Sequence, residues 1–170
     1  MIFTIGTSNR PLSEFLHELE RRSITYLVDV RSSPYSRMPC YSRSQIERWA
    51  ELQGCLYRWE GQILGGRSLT ALDDPDYHIA LDRILSGAGR ENVAIFCAEG
   101  DPSACHRSWD VAASLLVYHG IATRSILRDG REEDILETLR RVPRANISKC
   151  IAPRVQQLIL GDWGSDNPLP

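Results

Sequence analysis

The stretch VAIFCAEGDPSACHR, residues 93–107, decides the fold, because it joins a strand to a helix through a chemically rich turn. Its first five residues form a continuous apolar run, which is typical of a strand whose two faces are both covered. Asp101 followed by Pro102 is typical of the capped first turn of a helix. Between the two elements lie thiol, carboxylate, imidazole and guanidinium groups. The stretch therefore predicts a strand, a functional loop and a helix.

The alternation of strand and helix extends in both directions along the chain. Short β-rich runs lie at 2–5, 25–30, 55–59 and 122–127, and helical patterns lie between them and at 132–142. Such alternation predicts an α/β fold: a single three-layer domain with a mostly parallel sheet and helices on both faces. We expect this domain to span 1–142. We expect the segment 143–170 to be a C-terminal extension that packs on the domain and ends frayed.

The composition excludes several classes of protein. With 170 residues, of which 42% are apolar and 25% charged, the chain suits one globular domain. No apolar run reaches the ~20 residues needed to cross a bilayer, and the N-terminus lacks the basic leader of a signal peptide. We therefore expect a cytoplasmic protein with no membrane contact. In that reducing compartment, the five cysteines are expected to serve metal binding, catalysis or packing.

The positive charge of the chain is concentrated locally. Residues 31–72 carry six arginines against three acids, although the whole chain has a net charge of −2. Nearly all the basic residues are arginine, whose guanidinium binds phosphate or carboxylate through two parallel hydrogen bonds. This pattern indicates an anionic partner, a small molecule or a nucleic acid. The alternative explanation is the codon bias of a GC-rich genome.

Three loops are expected to meet at one edge of the sheet, because the carboxyl ends of parallel strands share an edge. These loops follow the strands at 2–5, 25–30 and 93–97, and a further loop holds Arg67. We predict a site there with two sets of residues. The catalytic candidates are Cys97, Cys105, His106 and Glu99, and the substrate-binding candidates are Ser8, Asn9, Asp29, Arg31, Arg37, Arg67 and Arg107.

Thiolate chemistry is the first hypothesis for this site. Cys97 faces the N-terminus of the following helix, and Cys105 is expected in the opening turns of that helix, beside His106 and Arg107. A helix N-terminus and neighbouring cations both favour a thiolate. Either sulfur could therefore be the nucleophile, or the pair could cycle between dithiol and disulfide. His106 would carry the proton, and arginines would hold an anionic group.

Other readings of the same residues remain open. Metal ligation by Cys97, Cys105 and His106, with Glu99 or Asp29 as the fourth ligand, is chemically admissible, but the spacing matches no common zinc motif, so we assign no metal. In a structural network, His106 would instead hydrogen-bond loop carbonyls, and Arg107 would pair with one of those carboxylates beneath the site. Five aromatic residues interleaved with the arginines of 31–67 suggest nucleic-acid binding. A protein-interaction module without catalysis is the remaining alternative, and the sequence specifies no cofactor or oligomeric state.

Four motifs give the sequence a resemblance to a known family. In order they are TIGTSNR (4–10), LVDVRSSPYSRMPCY (27–41), LGGR (64–67) and CAEGDPSACHRS (97–108). In these motifs, over about residues 1–130, the chain resembles the bacterial and archaeal family called domain of unknown function 488. The resemblance implies the same α/β fold and the same site region, and the family's name specifies no activity.

Three positions depart from the pattern of that family. Thr7 stands where histidine or tyrosine is usual, Tyr41 where phenylalanine is frequent, and Ser125 where histidine is common. If those histidines take part in a reaction, this chain lacks them. A looser likeness, to rhodanese and the phosphatases of its fold, rests on LVDVR (27–31) and on VAIFC with the later HRSWDVAASLL (93–116), and it is analogy at the level of fold.

Overall fold

A six-stranded sheet forms the centre of the protein in the computed structural model, which describes residues 1–68 and 70–161. The strands are β1 (Ile2–Gly6), β2 (Ile24–Asp29), β3 (Leu56–Trp59), β4 (Asn92–Cys97), β5 (Arg124–Ile126) and β6 (Glu132–Asp134). Their order across the sheet is β3-β2-β4-β1-β5-β6. The neighbours are parallel except for β5 and β6, which are antiparallel. A mostly parallel sheet was predicted and is confirmed.

Helices cover both faces of this sheet. They are α1 (Leu12–Arg21), α2 (Arg43–Leu52), α3 (Gly61–Leu64), α4 (Pro75–Ala88), a π-helix (Arg107–Ala112) continuous with α5 (Ala113–His119), α6 (Ile135–Arg141) and α7 (Ala152–Leu160). Because side chains alternate along a strand, Val93 and Ile95 of β4 pack towards α4 and α5, while Ala94 and Phe96 pack towards α1 and α2. The three-layer α/β architecture is therefore confirmed.

Two details of the predicted elements are wrong. The pattern at 132–142 predicted one helix, but Glu132–Asp134 pairs with β5 as an edge strand and α6 begins only at Ile135. The helix predicted from Asp101 is interrupted: Asp101 caps a single 3₁₀ turn, Pro102–Ala104, and Cys105 is then extended, with φ −135° and ψ 135°. Cys105 thus precedes the π-helix instead of lying in the first turns of a helix.

The C-terminal region packs on the domain through its helices. Leu139 of α6, Val155 of α7 and Ile151, which precedes α7, form a third apolar cluster with the start of α5. The expected frayed end falls within 162–170, which lies outside the described residues. Within the described part of the chain, no helix is both long and apolar enough to span a bilayer.

The connections of the sheet create a crevice at its carboxyl edge. The chain leaves β2 through α2 towards β3, and it leaves β4 through α5 towards β5, on the other side of the sheet. The β2 and β4 ends are aligned, because Asp29 lies opposite Phe96 in the register. Loops that diverge from adjacent parallel strands leave room between them, which is where ligands bind in open α/β sheets.

Candidate active site

A cavity of about 370 Å³ lies in this crevice. We call it the edge cavity. It is lined by Arg31, Ser32, Ser33, Tyr35, Gly66, Arg67, Cys97, Ala98, Glu99, Ala104, Cys105, His106, Trp109 and Asp110. The lining comes from the loop after β2, the loop after α3, the two ends of the turn between β4 and the π-helix, and the π-helix itself. Residues distant in the sequence therefore meet at one concave surface.

Two cysteines and a histidine form the innermost group of the edge cavity. Cys97 ends β4 and is 6% exposed, and Cys105 is 1% exposed. The sulfurs of these residues and a ring nitrogen of His106 all lie within 4.8 Å of one another. We call these three residues the Cys–Cys–His cluster. Cys105 has an extended backbone between the 3₁₀ turn and the π-helix. This conformation brings Cys105 and His106 close to Cys97 at the end of β4.

The imidazole of His106 is fixed from two sides. Its Nε2 lies 2.9 Å from the carbonyl oxygen of Val30. Because a carbonyl only accepts, Nε2 carries a proton and donates it, which leaves Nδ1 to face the sulfurs. Nδ1 lies 3.9 Å from the sulfur of Cys97 and 3.9 Å from that of Cys105. Gly66 packs against the ring, where a Cβ would lie 2.8 Å from Nδ1.

The two thiols of the cluster have opposite acidities. The hydrogen bond between the sulfurs is the main cause: it lowers the pKa of Cys105 and raises the pKa of Cys97. Burial raises the pKa of both thiols, while His106 and Arg107 lower that of Cys105 further. Burial lowers the pKa of His106, but the Cys105 sulfur and the Val30 carbonyl raise it, and the net shift is upward. These shifts favour the thiolate form on Cys105 over Cys97, and the protonated form of His106.

Arg31 and Asp29 form a buried ion pair beneath the edge cavity. The Asp29 carboxylate accepts hydrogen bonds from Arg31 at 2.6 and 2.9 Å, and from the Tyr57 hydroxyl at 2.8 Å. Arg31 also donates to the carbonyl of Tyr41 at 2.8 Å and stacks over Phe96. The charge of Arg31 is thus already paired with that of Asp29. Arg31 therefore supports the wall of the cavity and is not a free cation for a substrate.

Arg107 holds the loop that carries Glu99. Its guanidinium is fully buried and donates to the carbonyl oxygens of Glu99, at 2.6 Å, and Gly100, at 3.2 Å. The structural alternative had paired Arg107 with the carboxylate of Asp29 or Glu99, and the partners are backbone carbonyls instead. Its other part, a hydrogen bond from His106 to a loop carbonyl, is present at Val30. The Glu99 residue is exposed and lines the edge cavity.

The other predicted binding residues are divided between two places. Arg67 is exposed and lines the edge cavity, and its backbone N–H donates to the hydroxyl of Ser32 at 2.9 Å. Ser8, Asn9 and Arg37 are exposed and, within the described part of the chain, are not among the residues of the cavity wall. Ser8 has a positive φ of 40°, and its N–H bonds to the carbonyl of Ala98 at 2.6 Å, so it supports the loop from behind.

Several residues of the cavity wall were not predicted from the sequence. Asp110 lies one turn after His106, and burial, the largest cause, raises the pKa of its carboxyl to about 6. Trp109 and Ser33 line the wall as well, and Tyr35 is 81% exposed at its rim. A sequence signal existed for Asp110, since an acid in the first turn of a helix that follows a reactive loop faces the same edge.

Two positions that depart from the family pattern, Thr7 and Ser125, hold buried hydroxyl groups. The Thr7 hydroxyl is buried 3.4 Å from the carbonyl of Cys97. The Ser125 hydroxyl is buried 3.0 Å from that of Thr4, inside the sheet. Among the described residues, neither Thr7 nor Ser125 contributes to the cavity wall. The Cys–Cys–His cluster therefore forms without the histidines that are common at those positions.

Comparison with known proteins gives one family. Residues 11–71 match the family described as domain of unknown function DUF488. The resemblance predicted from the sequence motifs is therefore confirmed over that segment, which contains α1, β2, α2, β3 and α3. No curated protein matches the chain. The looser likeness to rhodanese stays a prediction.

Proposed function

Starting from a chain whose residues 11–71 match the DUF488 family, we propose that it is an enzyme acting on an anionic, phosphate-bearing substrate in the edge cavity. The observation that carries the proposal is that the Cys–Cys–His cluster and the exposed Arg67 line one cavity, whose wall is supported by the Arg31–Asp29 ion pair. Reactive sulfur and cationic side chains together have no value for packing the core. They suit a site that holds a negative charge while a bond is broken.

The chain supplies its own nucleophile in this proposal. The Cys105 thiolate attacks the electrophilic atom of the substrate, a new bond to sulfur forms, and the leaving group departs with its electron pair. His106 protonates the leaving group through Nδ1, which faces the sulfurs. Water then cleaves the covalent intermediate and restores the thiolate, or a second acceptor takes the group. The reaction class is therefore a cysteine-dependent transfer or hydrolysis.

The second cysteine has a supporting role. Cys97 donates a hydrogen bond to the Cys105 sulfur and so keeps the negative charge on the nucleophile. The π-helix begins directly after the cluster, and its first N–H groups add to the positive potential at this edge. Such helical irregularities are frequent at functional sites.

Binding of inorganic phosphate tests the anionic part of the proposal. Isothermal titration calorimetry should show that phosphate binds to protein treated with a chelator. Arg67→Ala should weaken the phosphate affinity about tenfold, as expected for the loss of one charge-assisted contact. Arg48→Ala is the matched control, because Arg48 is an exposed arginine on α2 outside the cavity lining. Undetectable phosphate binding, or an equal loss in both variants, would contradict the proposal.

A nucleic acid remains the second candidate substrate, but the aromatic residues give it less support than their number suggested. Tyr41 and Trp49 are buried, Tyr57 bonds to Asp29, and the Trp59 indole donates to the carbonyl of Arg31. Tyr35, at the rim of the edge cavity, is exposed enough to stack on a base. A cytoplasmic location belongs to the same proposal, because the five free thiols suit a reducing compartment.

A further inference from the structure

We propose that the Cys–Cys–His cluster binds a divalent metal ion of the zinc class, with a fourth position open to the edge cavity. This inference rests on the proposed function because it concerns the same site. It identifies a metal ion as the ligand of the three side chains. From the spacing of these residues in the sequence we assigned no metal, and the geometry of the cluster leads to a different conclusion.

The distances within the cluster are close to those of a metal site. Zinc bonded tetrahedrally to sulfur at ~2.3 Å and to nitrogen at ~2.0–2.1 Å requires sulfur–nitrogen separations of about 3.5 Å. Both sulfurs lie 3.9 Å from Nδ1 of His106. A contraction of about 0.4 Å on each side would bring both sulfurs to the separation from Nδ1 that zinc requires, and the three ligand atoms already lie within 4.8 Å of one another.

The surroundings of His106 give an independent indication. A metal-binding histidine donates the proton of its other ring nitrogen to a carbonyl or carboxylate, which fixes the ring. Nε2 of His106 donates to the carbonyl of Val30 at 2.9 Å, and Gly66 packs against the ring. The ring is thus held with Nδ1 directed at the sulfurs, where a metal ion would take the place of the Nδ1 proton.

The donor set and the open side of the cluster define the metal and its role. Two thiolates and an imidazole favour zinc over the hard cations that prefer oxygen. Asp29 is occupied by its ion pair with Arg31, so it is not a fourth ligand. Three protein ligands with one position facing a cavity are typical of catalytic zinc. A bound ion would engage both sulfurs as ligands and would supply a water of lowered pKa at its open position, so the Cys105 nucleophile of the proposed function belongs to the metal-free protein.

A competition titration tests the site. Protein stripped with a chelator is titrated with zinc chloride against a chromophoric chelator, and one zinc per chain is expected. Cys105→Ser and His106→Ala should each weaken zinc affinity about 100-fold or more. Cys150→Ser is the control, because Cys150 is an exposed cysteine outside the cluster, and its affinity should match the wild type. Equal losses in Cys150→Ser and Cys105→Ser, or no stoichiometric binding, would overturn the inference.

Cobalt substitution tests the wild-type protein in case the variants do not fold. A Co²⁺-loaded sample should show sulfur-to-cobalt charge-transfer absorption, and a spectrum without it would exclude thiolate ligation. The titration also separates the two proposals. Arg67→Ala should lose phosphate affinity in the stripped protein while keeping the zinc affinity of the wild type. Zinc binding without phosphate binding would contradict the proposed function alone, and the reverse result would contradict the metal site alone.

Discussion

Gly66 fixes the position of the imidazole in the edge cavity. A Cβ at this residue would lie 2.8 Å from both Cγ and Nδ1 of His106, closer than side-chain atoms approach one another. The ring would therefore have to move away from the sulfurs or from the carbonyl of Val30. The requirement for glycine here is steric contact with a functional side chain, so it belongs to the site and not to a turn.

The variant Gly66→Ala should accordingly impair the cluster. We expect alkylation of Cys105 by iodoacetamide to slow about 10- to 100-fold, because a displacement of a catalytic group by about 1 Å has an effect of this size. Gly89→Ala is the matched control, since the nearest atom to its Cβ would lie at 3.7 Å, an ordinary contact. Peptide mass spectrometry of the alkylated protein measures both. An unchanged rate in Gly66→Ala would show that the ring position does not matter.

Arg107 is the residue on which the loop between β4 and the π-helix depends. Its fully buried guanidinium bonds to the carbonyls of Glu99 and Gly100. Removing it leaves those carbonyls without their charged donor. The variant Arg107→Met should lower the free energy of unfolding by about 3 kcal/mol, which urea denaturation measures. Arg48→Met should change it by less than about 0.5 kcal/mol, and a similarly small change in Arg107→Met would refute the structural role.

At the scale of elements, the boundary between β6 and α6 is set by a capping box. The Asp134 carboxylate accepts from the N–H of Leu136 at 2.9 Å, and the Glu137 carboxylate accepts from the N–H of Asp134 at 3.2 Å. These bonds satisfy backbone donors that the first turn of a helix leaves free. They also explain why the helix starts at Ile135 and the preceding three residues are available to pair with β5.

The variant Asp134→Ala should therefore destabilise the protein by about 1 kcal/mol. Asp134→Asn keeps a side-chain acceptor at the cap and should retain most of the stability. Thermal or urea denaturation of the two variants distinguishes them. If alanine and asparagine cost the same, charge at the helix end would be responsible instead of the hydrogen bond.

The sequence predicted the elements that depend on local pattern and missed those that depend on distant partners. The apolar runs of β1, β2 and β4 identify buried strands. The strand Glu132–Asp134 carries three acids and no apolar pattern, so only its pairing with β5 makes it a strand.

In the candidate site, too, the sequence predicted the features that follow from local pattern and missed those that depend on distant partners. Strand ends and motif residues indicated that Cys97, Cys105, His106 and Arg67 would share an edge. The extended conformation of Cys105 and the pairing of Arg31 with Asp29 are tertiary outcomes that spacing does not encode. Arg37 was grouped with the site because of its position in an arginine-rich loop. Its exposed position outside the cavity wall, as far as the structure describes the chain, follows from the path of that loop.

Across the whole molecule, a network of charges joins the first helix to the last strand. Glu18 of α1 accepts from Arg22 and from Arg21, and Arg22 donates to Glu132 of β6 at 2.8 Å. Burial raises the pKa of the Glu18 carboxyl, but the hydrogen bonds from the two arginines outweigh it, and the net pKa is lowered. The ionised carboxylate thus stabilises the folded state.

This network predicts how stability depends on pH. Because the folded-state pKa of Glu18 is below its unfolded value of 4.5, its contribution is present at neutral pH and lost as pH falls through the folded-state pKa. Glu18→Gln should cost about 1–3 kcal/mol at neutral pH, and the difference from wild type should shrink as pH falls below 4.5. The control Glu14→Gln removes an exposed ion pair with Arg128 and should cost under about 1 kcal/mol. A pH-independent difference for Glu18→Gln would contradict the assignment.

The account as a whole depends on one property, a reactive Cys105 thiolate within the edge cavity. The direct measurement is alkylation by iodoacetamide at about pH 6 in the presence of a chelator, resolved by residue through mass spectrometry. The account predicts that Cys105 reacts faster than the exposed Cys150, that His106→Gln slows this reaction, and that inorganic phosphate protects Cys105. Faster labelling of Cys150, with Cys105 inert and indifferent to phosphate, would contradict it.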